Sequence, residues 1–172
     1  MEAVKHIQGN LLDFPRHCKS DPNKYVGINA IAHSCNTQNV MGGGIASQIK
    51  KRYPSCYSSD CHAMMEGKNT LGNFSFAWTD ASQSKGIYNM YNQDRIGGER
   101  AVNYEAFYTA LETVVGDLEW QSNHDEEQKV LGLPYGVSCG LAGGNWMIVR
   151  EIIEDVISNS SIKCYIVKFE FA

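Results

Sequence analysis

A chain of 172 residues with 43% apolar residues, 20% charged residues and a net charge of -4 has the composition of a single folded domain. Those values exclude an intrinsically disordered chain, which carries fewer apolar residues and a higher net charge. They also exclude a protein that grips long nucleic acid through a broad basic surface.

Taken in chain order, apolar segments and turn residues alternate in a βα rhythm. Val4 to Gln8 predicts a short strand that ends at Gly9-Asn10. Tyr25 to Cys35 is a mostly apolar run with β-branched residues and predicts a buried strand. It leads through Met41-Gly42-Gly43-Gly44 into a helix from Ile45, with Lys50, Lys51 and Arg52 in its last turn and Pro54 ending it. Ser55 to Asn69 has no clear period. Asn73 to Trp78 and Gly86 to Tyr91 predict two more strands. Asn103 to Val115 predicts a helix, with Phe107, Ala110, Leu111 and Val114 on one face. Gly116 to Lys129 is polar and acidic and is expected to be an exposed connection. Lys129 to Tyr135 predicts a strand, Asn145 to Ser158 a strongly striped helix, and Ile162 to Phe171 a final strand. Strands alternating with helices imply an α/β sheet covered on both faces.

The first ten residues lack a basic stretch leading into an apolar one, so no secretory signal is expected. No run approaches the roughly 18 consecutive apolar residues of a membrane span, and no membrane partner is expected. The six cysteines, Cys18, Cys35, Cys56, Cys61, Cys139 and Cys164, are then expected to be reduced thiols of a cytoplasmic protein. Cys56, Cys61 and His62 form the one close cluster. They lack the distant second pair typical of zinc sites, so they are read as loop thiols and no metal is expected.

Glycine is modestly over-represented, with 16 residues, and seven of them (Gly42, Gly43, Gly44, Gly136, Gly140, Gly143 and Gly144) fall in the loops of two strand–loop–helix units, residues 31–49 and 131–153. A glycine loop opening a helix lets backbone N–H groups approach an anion, and the helix dipole adds to the attraction. Two such loops on neighbouring strands can hold a diphosphate between them. Neither loop has the lysine-containing pattern of a P-loop, which argues against an NTPase. Neither has the G-x-G-x-x-G pattern with its later acidic residue, which argues against dinucleotide oxidoreduction.

The stretch Ile31-Ala32-His33-Ser34-Cys35-Asn36, followed by Met41-Gly42-Gly43-Gly44-Ile45, resembles the first signature of the macro domain family. Gly9-Asn10-Leu11 resembles that family's early adenine motif. Val137 to Trp146 resembles the second phosphate loop of the branch holding the yeast-type and phage ADP-ribose 1''-phosphate phosphatases and the terminal ADP-ribose–glutamate hydrolases. Gln93 and Asn103-Tyr104-Glu105-Ala106 are similar to the same branch. The resemblance covers nearly the whole chain as one domain, residues 1–172. It implies a three-layer α/β/α sandwich with a mixed central sheet that binds ADP-ribose without a cofactor.

By position, the resemblance places Gly9, Asn10 and Leu11 at the adenine, with Phe169 either against the adenine face or packed in the core. It places Ser34, Met41, Gly42, Gly43, Gly44, Ile45 and Ala46, with Gly136, Val137, Ser138, Cys139, Gly140, Leu141 and Ala142, around the diphosphate and distal ribose. Asn36 is expected to hold that ribose or position a water. His33 or Asp94 is expected to handle a proton, against the plainer readings of a hydrogen-bonded strand histidine and a loop carboxylate. Two departures stand out. Asn10 replaces the usual adenine-binding aspartate, which removes a charge from that bond. Ala142 stands at the hydrolases' aspartate, and Asn92 or Gln93 near their nucleophilic lysine, so an adduct through an amine is not available. The expected function is hydrolysis of ADP-ribose 1''-phosphate. The alternatives are a non-catalytic reader of free or protein-attached ADP-ribose and a de-ADP-ribosylating hydrolase.

Overall fold

The computed structural model describes residues 3–15, 27–96 and 101–169. Its strands are β1 (Val4–Gly9), β2 (Ala30–Asn36), β3 (Phe74–Trp78), β4 (Gly86–Gln93), β5 (Val130–Pro134) and β6 (Lys163–Phe169). Its helices are α1 (Gly44–Arg52), α2 (Pro54–Met65), α3 (Tyr104–His124) and α4 (Trp146–Ser158), with one 3-10 turn at Leu11–Asp13.

The six strands form one sheet in the order β1-β6-β5-β2-β4-β3. Every pairing is parallel except the edge pair of β3 with β4, so the sheet is mixed. Parallel strands need both faces covered, and the side-chain alternation supplies two apolar faces. Ala30, Ala32, Tyr88, Met90, Leu131 and Leu133 point to one side, where they pack with the buried stripes of α3 and α4. Ile31, Ile87, Val130, Tyr165 and Val167 point to the other, against Ile49 of α1 and Cys56 of α2. The result is the three-layer sandwich that the resemblance implied.

Two expectations are corrected. Residues 116–124 are not an exposed connection but the last turns of α3. Leu118 is 1% exposed and extends the stripe of Leu111, Val114 and Val115 by one turn. On the same turns Asp117 Oδ2 accepts a 2.5 Å hydrogen bond from Tyr88, and Gln121 donates to the same tyrosine. These contacts outweigh Gly116, whose place inside a helix costs about 1 kcal/mol. The unclear segment after Ser55 is α2, opened by Pro54 at its first turn. Cys56, Asp60 and Ala63 are buried at helical spacing, but a buried aspartate and a small residue do not read as an apolar stripe. Cys56 and Cys61 are therefore helix residues, not loop thiols. Of the predicted strands, the start at Tyr25 and the end at Phe171 lie outside the described residues.

Since Leu118 is core, Leu118→Ala is expected to lower unfolding stability by about 2–5 kcal/mol in urea titration. A change within about 0.5 kcal/mol, the range of exposed positions, would return this segment to the surface.

Candidate functional site

Strands β2 and β5 are neighbours, and both end toward the same rim of the sheet. The loops that leave them, residues 37–43 and 135–145, therefore face each other across a cleft of about 540 Å³. The first loop and its flanks line it with Ser34, Asn36, Val40, Gly42, Gly43, Gly44, Ile45 and Ala46. The second contributes Pro134, Tyr135, Gly136, Val137, Ser138, Gly140, Leu141 and Ala142, and Gln93 and Ile96 complete the lining.

The first loop is held in shape by its own asparagines. Asn36 Oδ1 accepts from the backbone N–H groups of Gln38 (3.0 Å) and Val40 (3.2 Å), and its Nδ2 donates to the Val40 carbonyl at 2.8 Å. Asn39 sits at φ 60, a left-handed conformation that asparagine tolerates, and donates to the buried Asp60 carboxylate of α2 at 2.8 Å. Tyr91 donates to the other oxygen of Asp60 at 2.7 Å. Asn69 Nδ2 donates to the Thr37 carbonyl at 2.8 Å. The loop is thus fixed from α2 and from the sheet before any ligand arrives.

That loop delivers the chain into α1 with no side-chain cap. Gly43 holds the N-cap position, and Gly44 opens the helix at φ 58. By contrast, Asn103 and Asn145 cap α3 and α4 with their own side-chain oxygens. The first amides of α1 have no partner inside their helix, its first turn carries no acidic residue, and it faces the cleft.

The second loop is a succession of turns: Val137 N–H to Pro134 O at 3.0 Å, Cys139 N–H to Gly136 O at 2.9 Å, and Gly143 N–H to Gly140 O at 3.1 Å. Gly144 N–H donates to Ser138 O at 2.8 Å, and a Cβ on Gly144 would lie 2.5 Å from that oxygen, so this position admits only glycine. Gly140 differs. A Cβ there would meet nothing within 4 Å, and at Gly42 only Val40 in ordinary contact at 3.6 Å. The protein's own packing does not demand glycine at these two positions, which both line the cleft. The absent side chains leave the backbone there open to close approach from the cleft. Leu141, 73% exposed, crosses from this loop to Gly43.

Among the described lining residues Tyr135 alone has an ionisable side chain. The cleft offers backbone amides, a helix start, two serine hydroxyls and two carboxamides. Such a site suits an anion by dipoles, not by countercharge.

The structure does not bring His33 to the cleft. Strand alternation points it to the α2 side, where it is fully buried and its Nε2 lies 2.7 Å from Asn89 Oδ1. Burial holds its pKa at about 4, so it is neutral at physiological pH, with the proton on Nε2 facing the amide oxygen. Asp94 is exposed outside the lining, its carboxylate 3.9 Å from the Arg95 guanidinium. Met41 is buried against Cys35, Ala63 and Tyr91. Cys139 is half-buried against the α3 and α4 core, and burial pushes its thiol pKa up.

The four residues assigned to the adenine lie further along the sheet. Gly9 and Phe169 are register partners at the ends of β1 and β6. Asn10 spends its Oδ1 capping the 3-10 turn at Leu12 N–H, 3.1 Å away. Leu11 is 5% exposed and packs with Leu12, Ile28 and Ile31 in the core, while Phe169 is 53% exposed. Sequence reading missed Val40, Ile96, Pro134 and Tyr135. Val40, Pro134 and Tyr135 were within reach, since they directly flank the glycine loops. Ile96 carries no local signal.

The Macro domain family model matches residues 32–153. The chain is 28% identical to the 17.5 kDa protein of the tk-vs intergenic region of Enterobacteria phage T4, over 92% of this chain and 93% of that one. It is 24% identical to the ADP-ribose 1''-phosphate phosphatase of Debaryomyces hansenii, over 95% of this chain and 99% of that one. Among solved structures, Thermosipho africanus DarTG in complex with ADP-ribose matches with a TM-score of 0.68 and 18% identity, over 84% of this chain and 38% of that one.

His33 is expected to govern acid stability. Its folded pKa of about 4 lies below its ordinary 6.5, so the unfolded chain takes the proton first. The contribution is complete above pH 6.5 and is lost as pH falls toward 4, by about 3 kcal/mol in all. Urea titrations across that window should show a steeper fall for wild type than for His33→Gln. Parallel slopes would mean that the imidazole is not held neutral.

Proposed function

The chain belongs to the macro domain family, and on that premise we propose that it binds ADP-ribose and hydrolyses the 1''-phosphate of ADP-ribose 1''-phosphate. The observation that carries the binding is the pair of glycine loops around one cleft, with an uncapped helix start and two lining glycines that the fold itself does not require. A diphosphate held there would receive backbone N–H donors without the reorganisation that solvent needs. The relative in Debaryomyces hansenii, aligned over 95% of this chain, is the basis for the phosphatase assignment.

In this reading water attacks phosphorus, the bond from phosphorus to O1'' breaks, and inorganic phosphate and ADP-ribose leave. Phosphoryl transfer through a loose transition state asks mainly for positioning and charge stabilisation, and in this reading the amides of Gly42, Gly43 and Gly44, which line the cleft, would supply them. Neither His33 nor Asp94 lines the cleft, so the attacking water passes its proton to a phosphoryl oxygen of the substrate itself. The departing O1'' takes one from solvent.

A second reading, a non-catalytic reader of free or protein-attached ADP-ribose, is favoured by the lining's lack of a carboxylate, imidazole or ammonium group among the described residues. Calorimetry with ADP-ribose followed by phosphate release from ADP-ribose 1''-phosphate separates the two. Release of stoichiometric phosphate over many turnovers supports the phosphatase. Tight binding without release leaves the reader, and absence of binding by folded protein removes both. Gly42→Glu is expected to fold normally, since a Cβ there meets only the Val40 side chain in ordinary contact at 3.6 Å, yet to weaken ADP-ribose binding more than about 100-fold through like-charge repulsion. Wild-type affinity in that variant would displace the diphosphate from this loop.

A further inference from the structure

Outside the cleft, on the α2 side of the sheet, a chain of hydrogen bonds crosses three strands and ends under the first loop. His33, Asn89 and Ser75 are register partners on β2, β4 and β3, and Tyr91 follows Asn89 on the same face of β4. His33 Nε2 lies 2.7 Å from Asn89 Oδ1, Asn89 Nδ2 donates to Ser75 Oγ at 3.0 Å, and Ser75 Oγ lies 2.8 Å from the Tyr91 hydroxyl. Tyr91 donates to Asp60 Oδ1 at 2.7 Å, and Asn39 of the loop donates to Asp60 Oδ2 at 2.8 Å. His33, Asn89, Ser75, Tyr91 and Asp60 are all buried.

A proton count gives the chain one direction. The single hydroxyl hydrogen of Tyr91 goes to Asp60, so Ser75 must donate to Tyr91. Ser75 in turn accepts from Asn89, and the Asn89 carbonyl accepts from the Nε2–H of the neutral His33. Every donor points toward Asp60, and each bond polarises the next. Both oxygens of Asp60 are taken, one from the sheet and one from the loop.

This arrangement is a poor way to hold α2 on the sheet. No lysine or arginine pairs with Asp60 among the described residues, and a carboxylate withdrawn from water without a cation is costly. Asn39 adds a second cost by sitting at φ 60. Apolar side chains of matching shape would join α2 to the sheet as well or better. They would not grip a polar loop. The Asn39 amide is gripped at both ends from α2, since Cys61 Sγ also donates to its Oδ1 at 3.4 Å. Gly42 and Gly43, three and four residues on, line the cleft.

We infer that Asp60 and Tyr91 are positioning residues for the bound diphosphate: the directed chain that ends on Asp60 fixes Asn39, and Asn39 fixes the backbone of the first glycine loop in its binding shape. The inference rests on the ADP-ribose reading and adds which residues outside the cleft set its affinity. Neither residue touches the ligand.

Two measurements test this: calorimetry with ADP-ribose, and backbone amide order parameters of residues 38–43 in the ligand-free protein. Asn39→Gly keeps the left-handed backbone without strain and removes the tie. It is expected to lose about tenfold in ADP-ribose affinity and to lower the loop order parameters, leaving those of β2 and α2 unchanged. Asn39→Asp sets two carboxylates against each other and is expected to lose more. Adding Asp60→Asn to it exchanges the partners. The amide now on α2 accepts from Tyr91 and donates to the carboxylate now on the loop, so affinity and loop order should return to within about threefold of wild type. A merely structural role for the two residues gives no such rescue. Tyr91→Phe keeps the ring against Met41 and is expected to cost about threefold alone, but nothing further on top of Asn39→Gly, because Tyr91 acts through Asp60 and Asn39. Wild-type affinity and loop order in Asn39→Gly, no recovery in the exchanged pair, or additive losses with Tyr91→Phe would each overturn the assignment. Wild-type protein that binds no ADP-ribose, with order parameters that follow the expected pattern, would instead overturn the ADP-ribose reading and leave the loop tie standing.

Discussion

A site with hardly any ionisable side chain can hold an anion only if backbone N–H groups are left unpaired, aimed inward and kept clear of side chains. Much of the structure around the cleft meets that constraint. The parallel pairing of β2 with β5 brings two strand ends side by side, so that the loops leaving them share one space. The start of α1 is left without a side-chain cap, where α3 and α4 each have an asparagine. Glycines stand at Gly42 and Gly140, where the protein would accommodate a Cβ, and at Gly144, where it would not. Amides left without a helical partner are costly in a folded protein unless water or a ligand meets them, which is why the uncapped start of α1 supports the proposed binding.

Loops built this way need support, and it comes from both faces of the sheet. On the α2 side, Asp60 accepts from Tyr91 and Asn39, which ties the first loop to a helix and to β4. On the α3 side, Asn92 rises from a bulge in the same strand to hold Ser34 and Ser138, which ties the second loop to the sheet. Strand β4 therefore organises both loops through alternate residues, Tyr91 facing one way and Asn92 the other. A rigid site of this kind loses little entropy when it binds.

The main elements were legible because their signals are local. Apolar segments between turn residues marked the strands, and apolar residues at helical spacing marked the helices at residues 44–52, 104–115 and 146–158. Turn residues marked most of their ends. The last turns of α3 escaped because Leu118 and the exposed Trp120 stand among polar residues without a stripe, and the burial of Leu118 depends on Tyr88 and its neighbours in the sheet. Helix α2 escaped because its inward face is Cys56, Asp60 and Ala63. An aspartate counts as inward-facing only once Tyr91 and Asn39 are seen to satisfy it.

By itself the sequence determined the architecture, the two glycine loops and the family, since these follow from chain-local spacing and ordered motifs. The tertiary structure alone decided which residues share the cleft. His33 and Ser34 are adjacent in the chain, yet strand alternation sends one into a buried network and the other to the cleft floor. Asp94 follows Gln93 directly, yet only Gln93 lines the site. Asn92, 58 residues from Ser34 and 46 from Ser138, joins them through a register slip that no local pattern encodes. Local spacing fixes which way the backbone runs. Which polar groups meet depends on packing between segments distant in the chain, and that is settled only when the sheet and its layers assemble.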